Sequence, residues 1–75
     1  MGRYANLGGN SGVAFYEIGD DSITVEFRDG GRYLYDYEAP GEAAVEEMKS
    51  LAVAGRGLAT FINREVRKSY ARKLR

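Results

Sequence analysis

Residues 23–37 read ITVEFRDGGRYLYDY and carry the clearest strand signals of the 75-residue chain. From Ile23 to Arg28, apolar and polar residues alternate strictly, which indicates a strand with one buried face. Asp29 and two glycines follow, and a second run, rich in tyrosine, begins at Arg32. Two such runs joined by a short glycine-containing segment are typical of a β-hairpin. We therefore predict a pair of antiparallel strands at the centre of the chain.

The length of the hairpin loop determines which face of the sheet carries the tyrosines. A two-residue loop places Leu34 on the face of Phe27 and leaves the tyrosines outside, as a platform on which bases could stack. A three-residue loop, Asp29–Gly31, places Tyr33 opposite Phe27 and puts Tyr35 on the same face. We favour the three-residue loop, because its last glycine tolerates the left-handed conformation and because a small domain needs large aromatic side chains in its core.

The segments that flank the hairpin complete an α+β domain. Val13–Ile18 is a short apolar run bounded by glycines, which predicts a further strand. After Pro40, the apolar spacing predicts a helix from Glu42 to Val53. A second helix is predicted from Leu58 toward the C-terminus, because apolar residues recur there every four positions. We therefore expect a three-stranded antiparallel sheet, made of the hairpin and an N-terminal strand, followed by two helices packed on one face.

The first residues of the chain are predicted to lie outside this domain. They are rich in Asn and Gly, which favour turns, and they contain few apolar side chains. A chain of this length holds one hydrophobic core at most. We therefore expect a disordered tail over residues 1–10 and a single domain over residues 11–75.

Charge is distributed unevenly along a chain that is neutral overall. Residues 1–48 contain three basic and ten acidic residues, whereas residues 49–75 contain eight basic residues and one acidic residue. A basic face on the second helix could bind a phosphate backbone, or it could be a solvated face partly neutralised by acidic residues of the first helix. The candidate nucleic-acid-binding residues are Arg56, Arg64, Arg67, Lys68 and Arg72.

Three tyrosines and one asparagine are further candidates for contact with a ligand. Tyr33, Tyr35 and Tyr70 would stack against bases if they were exposed, although a small domain more often uses such rings in its core. Asn63 lies inside the second predicted helix, where asparagine is a poor helix former. Its side chain could read the edge of a base. We favour instead a hydrogen bond to the Gly55–Gly57 turn or to the hairpin backbone, because most side-chain hydrogen bonds go to backbone or water.

The composition argues against catalysis and against a bound metal or cofactor. The chain has no Cys, which removes thiolate metal sites, and no His, which removes the commonest metal ligand and general base. Its serines therefore lack a histidine to activate them. No apolar run approaches the roughly 18 residues that a membrane span needs. We expect a cytoplasmic protein that is not an enzyme, uses no cofactor or metal, binds no membrane and takes no small-molecule substrate.

An ordered series of residues resembles the KTSC domain, a module of about this length. That domain is named for its place at the C-terminus of some lysyl-tRNA synthetases, and it also occurs as a stand-alone bacterial protein. The series comprises Ser11, the alternating Ile23, Val25 and Phe27, the central Tyr33-Leu34-Tyr35, Pro40, Gly57, Phe61-Ile62-Asn63, Val66-Arg67 and Tyr70. It extends from about Ser11 to Leu74, nearly the whole chain. The resemblance implies no enzymatic activity and, from the synthetase context, a role in binding RNA.

Two functional hypotheses follow from these observations. The first is a non-catalytic module that binds structured RNA or tRNA through its basic second helix. The second is an accessory module that binds a protein partner or a second copy of itself, because halves of opposite charge favour head-to-tail contacts. In that case Val13–Ile18 could serve as an edge strand that pairs with the partner. The salt dependence of RNA binding would distinguish the two.

Overall fold

The computed structural model describes residues 1–9 and 11–75, and it shows an antiparallel sheet with helices on one face. The fold is therefore α+β, as predicted. The strands are β1 (Gly2–Arg3), β2 (Val13–Ile18), β3 (Ser22–Phe27), β4 (Arg32–Asp36) and β5 (Arg72–Lys73). The helices are α1 (Glu42–Ala54) and α2 (Leu58–Phe61), and α2 continues into a π-helical turn (Ile62–Val66). Neighbouring strands in the sheet are also neighbours in the chain, in the order β1 to β5, and all pair antiparallel.

The central hairpin forms with a three-residue loop, but that loop is Arg28–Gly30 and not the predicted Asp29–Gly31. The Phe27 N–H donates to the carbonyl of Gly31 at 2.8 Å, and Gly30 takes the left-handed conformation with φ 95°. The Asp29 side chain accepts a hydrogen bond from the Gly31 N–H at 2.9 Å, which favours this turn. The strand pairing therefore differs from the prediction by two residues. An even shift preserves the faces, so the tyrosines remain on the predicted side.

The core lies between the sheet and the helices. In the observed register Tyr35 is opposite Ile23 and Tyr33 is opposite Val25. Tyr35 is 1% exposed, which confirms it as a core residue, whereas Tyr33 is half-buried at the edge of the core. From the helical side the core receives Val45, Met48, Ala52, Leu58, Ile62 and Val66. Among the described residues, no helix is both long enough and apolar enough to cross a membrane.

The sheet has five strands where three were predicted, because a two-residue strand is added at each edge. Such short strands show no alternation that the sequence pattern could reveal. β1 pairs with Phe15 and Tyr16 of β2, so Val13–Ile18 is not the free edge strand that was proposed for partner binding. β5 pairs with Tyr33 and Leu34 of β4. Each edge is thereby covered in part by backbone from a terminal segment of this chain.

The prediction of a disordered N-terminal tail is wrong for much of its length. Tyr4 is 3% exposed, and its hydroxyl accepts a hydrogen bond from the Leu58 N–H at 3.2 Å. The Leu7 N–H donates to the carbonyl of Gly55 at 2.7 Å. Asn10, the last residue of the predicted tail, lies outside the described residues. A buried aromatic ring and backbone hydrogen bonds thus attach the N-terminal segment to the α1–α2 connection.

The second helix is much shorter than predicted. Leu58, Ile62 and Val66 are buried, as the four-residue spacing indicated, but the helical segment ends at Val66. The chain then turns and returns beside β4, where the Leu74 N–H donates to the carbonyl of Arg32 at 2.7 Å. The backbone of β4 offers unpaired hydrogen-bonding groups at the sheet edge, and strand addition satisfies them. Helical periodicity in the sequence gives no information about these hydrogen bonds to β4, which compete with a longer helix.

The first helix matches its prediction closely, extending one residue further, to Ala54. Gly55 ends it in the left-handed conformation, with φ 78°. A Cβ atom at Gly55 would lie 2.7 Å from the Cβ of Ala5, whereas a Cβ at Gly30 would meet no atom within 4 Å. The two glycines therefore share an unusual backbone angle but differ in their surroundings.

We expect Gly55→Ala to destabilise the domain more than Gly30→Ala does. Both substitutions place alanine in the left-handed region, which costs about 1–3 kcal/mol. Only Gly55→Ala also forces the N-terminal segment away from the α1–α2 connection. Urea unfolding of the two variants, followed by circular dichroism, measures the difference. Equal losses in the two variants would contradict the docking of the N-terminal segment at Gly55.

Candidate nucleic-acid interface

A groove lined by aromatic rings lies where the central hairpin meets the end of the π-helical turn. The ring centroids of Phe27 and Tyr33 are 5.8 Å apart in an edge-to-face arrangement, and those of Tyr33 and Tyr70 are 4.8 Å apart. All three side chains are half-buried, so part of each ring stays accessible to a ligand. The groove has a volume of about 430 Å³. We call it the aromatic groove; its lining residues are Phe27, Asp29, Tyr33, Tyr35, Ile62, Asn63, Arg67, Lys68 and Tyr70.

Four cationic side chains lie in or beside the aromatic groove. Arg67 and Lys68 line it directly. Lys73 and Arg75 line an adjoining depression that shares Asp29 and Tyr33 with the groove. The Lys73 Nζ lies 5.9 Å from the centroid of the Tyr33 ring, within the range of a cation–π contact. None of these four side chains forms an ion pair with another described residue. The two depressions also share one carboxylate, that of Asp29, so four cations and one anion face a ligand there.

The five predicted nucleic-acid-binding residues do not lie together. Four of them were predicted to form a basic stripe along the second helix, and that part of the prediction is wrong. Arg67 and Lys68 belong to the aromatic groove. Arg64 lines a separate depression with Phe61, and Arg56 lines a third one near the N-terminal segment. The stripe depended on a helix that continued to the C-terminus. Because the helical segment ends at Val66, the spacing of four no longer keeps these residues on one face.

Arg72 lies on the opposite side of the sheet from the aromatic groove. In β5 it is paired with Leu34, whereas the next residue, Lys73, is paired with Tyr33. Successive residues of a strand point to opposite faces. Lys73 therefore joins the tyrosine face in place of Arg72. The sequence indicated Lys73 and Arg75 only as further basic residues of the second helix, outside the five candidates. The pairing of β5 with β4 is what brings Lys73 beside Tyr33.

Asn63 has a different environment from the one we favoured. It is exposed and lines the aromatic groove, and its side chain forms no hydrogen bond with the described residues. The predicted bond to the Gly55–Gly57 turn or to the hairpin is therefore not formed. Its amide carries both donors and an acceptor. The alternative, that it contacts the edge of a base, stays a prediction.

Among the described residues, no acidic residue of α1 forms an ion pair with the cations at the groove, as it would if the first helix neutralised the basic face. Glu46 accepts a hydrogen bond from the Tyr37 hydroxyl at 2.7 Å and pairs with Lys49 at 2.9 Å. These contacts lower the pKa of the Glu46 carboxyl, and the hydrogen bond to Glu46 raises the pKa of Tyr37 to about 12. The charge of Glu46 is thus satisfied locally, away from the cations at the groove.

The buried tyrosine beneath the groove stays neutral over the physiological range. Burial raises the pKa of Tyr35 to about 12, and the neighbouring Tyr33 and Tyr70 hydroxyls add to the shift. A raised pKa favours the protonated phenol in the folded state, so this contribution to stability is present below pH about 10 and is lost between about 10 and 12. At neutral pH, Tyr35 therefore adds no negative charge beneath the cations.

The described residues contain no group of three or more carboxylates that could hold a metal ion. Comparison of the chain with protein-family models, with curated proteins and with solved structures gives no match. The resemblance to the KTSC domain stays a prediction from the residues themselves.

Proposed function

We propose that this protein is a small non-catalytic module that binds structured RNA in the aromatic groove. One observation supports the proposal, namely that four cations without an ion-pair partner among the described residues lie beside half-buried aromatic rings, in two adjoining depressions. Cations of this kind contact phosphates, while aromatic rings stack against bases. Cations next to accessible aromatic rings suit RNA better than a polyanion without bases, which could not stack on the rings.

The geometry favours unpaired bases within a folded RNA. The wide minor groove of an RNA duplex is recognised through shape and 2′-hydroxyls, whereas loop bases can be splayed out and stacked on Tyr, Phe or Arg. Phe27, Tyr33 and Tyr70 supply rings, and Arg67 supplies a guanidinium plane beside them. A tRNA, which presents loops next to closely spaced phosphates, is therefore a suitable first ligand. The resemblance to the KTSC domain also implies an RNA partner.

We expect binding of bulk tRNA to weaken steeply with salt. Contacts from Arg67, Lys68, Lys73 and Arg75 to four phosphates predict a slope of about −3 in a plot of log affinity against log salt, at roughly 0.7 per phosphate on single strands. A heteronuclear NMR titration at about 50 and 200 mM salt measures this slope and locates the contacts. The shifted amides should belong to the aromatic groove and to β5.

The absence of shifts at low salt would contradict the proposal. It would favour the second hypothesis, in which the module binds a protein partner or a second copy of itself. Shifts confined to Arg72 and its neighbours on the other face of the sheet would also contradict it, because they would place the RNA away from the aromatic rings.

A further inference from the structure

A second depression lies between the N-terminal segment and the start of α2, apart from the aromatic groove. Its volume is about 190 Å³, the share of several water molecules at about 30 Å³ each. The polar side chains that line it are Tyr4, Asn6, Ser11, Arg56 and Thr60. We call it the N-terminal pocket. It shares no lining residue with the aromatic groove.

The oxygen atoms of three of these side chains already accept hydrogen bonds from the backbone. The Tyr4 hydroxyl accepts from the Leu58 N–H at 3.2 Å, and Asn6 Oδ1 accepts from the Ser11 N–H at 3.0 Å. The Ser11 Oγ accepts from the Val13 N–H at 3.1 Å. The backbone contacts therefore use the acceptors of these groups and orient their side chains at the pocket.

The hydrogen-bond donors of the same three groups have no acceptor among the described residues. These donors are the O–H of Tyr4, the amide N–H groups of Asn6 and the O–H of Ser11. Tyr4 is 3% exposed, so its free O–H belongs to a residue that is almost wholly buried. Thr60 and the Arg56 guanidinium line the same pocket and likewise form no side-chain hydrogen bond or ion pair with the described residues. The pocket thus concentrates unused donors.

No carboxylate is among the described residues that line the pocket, so its only formal charge is that of Arg56. A set of donors with one guanidinium and no opposing negative charge matches an oxyanion, because charged acceptors form the strongest hydrogen bonds with such groups. We propose that the N-terminal pocket binds a phosphoryl group. This site goes beyond the proposed RNA interface and does not depend on it.

The test uses inorganic phosphate as the probe and Arg56→Gln and Thr60→Val as variants. Both residues are exposed and hold no backbone contact through their side chains, so the fold should be unchanged. In the unaltered protein, phosphate should cause saturable NMR shifts of the amides around Ser11 and Arg56–Thr60 at constant ionic strength. Arg56→Gln should weaken binding by about ten-fold or more, since it removes a charge-assisted hydrogen bond. Thr60→Val should weaken it to a smaller extent.

Arg64→Gln is the matched control, because Arg64 is also exposed but lines a different depression. It should bind phosphate as the unaltered protein does. Shifts that never saturate, or an equal loss in Arg64→Gln and Arg56→Gln, would overturn the proposal, because they indicate general attraction of anions.

A second pair of probes distinguishes the source of the phosphoryl group. An oligonucleotide with a 5′-phosphate is compared with the same oligonucleotide ending in a 5′-hydroxyl. A preference for the phosphorylated form that Arg56→Gln removes would assign the pocket to the end of a nucleic acid. Saturable binding of inorganic phosphate without that preference would support the site as one for a free phosphate or a small phosphoester. If the protein bound neither inorganic phosphate nor the 5′-phosphorylated oligonucleotide at this pocket, the proposed phosphoryl site would be overturned. That conclusion holds whether or not the aromatic groove binds RNA.

Discussion

Replacing both Arg67 and Lys68 with glutamate should abolish tRNA binding and leave the fold intact. The double variant removes two of the four cations at the aromatic groove and introduces two carboxylates that repel phosphates. We expect the affinity at about 50 mM salt to fall by about a hundred-fold or more, because like charges brought together cost several kcal/mol. Both side chains are exposed, so the free energy of unfolding should change by no more than about 0.5 kcal/mol per substitution.

The double variant Arg3→Glu/Arg72→Glu provides the matched control. It changes the net charge by the same amount, but both residues lie on the uncovered face of the sheet, where Arg3 is paired with Phe15 and Arg72 with Leu34. If the groove is the interface, this control should lose only the modest affinity expected from a change in overall charge. An equal loss in both double variants would show that tRNA responds to total charge and would contradict a specific interface. Unchanged affinity in the Arg67→Glu/Lys68→Glu variant would contradict the groove itself.

Replacing Tyr35 with alanine should unfold most of the protein at 25 °C. Tyr35 is the largest fully buried side chain, and removing a buried aromatic ring costs about 3–5 kcal/mol. A domain of this size without disulfides is stable by only about 3–5 kcal/mol in total. The far-ultraviolet circular dichroism spectrum of the variant should therefore resemble that of the urea-unfolded protein.

Tyr35→Phe separates the role of the ring from that of the hydroxyl group. It keeps the packed ring and should retain a cooperative urea transition, with a loss below about 1 kcal/mol. It should also leave tRNA binding unchanged, since Tyr33 and Tyr70 supply the more accessible rings. A well-folded Tyr35→Ala variant would contradict the expected cost of removing this ring.

The parts of the fold that could be predicted from the sequence are those whose signal is local. The alternation from Ile23 to Phe27 fixes one strand and its buried face, and the glycines after Ala54 mark the end of α1. The hairpin register differed by two residues because either of two adjacent glycines could take the left-handed position. The side chain of Asp29, which bonds to Gly31, favours Gly30.

The candidate site could be predicted only in part, because it depends on contacts between distant segments. Arg67, Lys68 and Tyr70 were identified, since each follows a recognisable helical spacing. Lys73 enters the site only because the chain leaves the helix and pairs with β4. A strand of two residues is too short to show a periodic pattern in the sequence. The same short C-terminal stretch could form either a helix or a strand, and hydrogen bonds to a distant segment decide between them. The burial of Tyr4 could not be predicted for the same reason, because its hydroxyl contacts Leu58, which is distant in the sequence.

The strand order implies that the strands beside the aromatic groove differ in local stability. β3 is paired along almost its whole length on both sides, whereas β2 and β4 each have only a two-residue strand on their outer side. The amide hydrogens of β3 should therefore exchange with solvent most slowly of any in the sheet. β5 is a two-residue strand that is exposed and paired on one side only, so we expect it to open at a lower cost in free energy than β3. Phe27 therefore stands on the most protected strand of the sheet, whereas Lys73 lies on its outermost strand. Under the proposed function, the RNA would meet an aromatic ring on a rigid base and a cation on a segment that opens more easily.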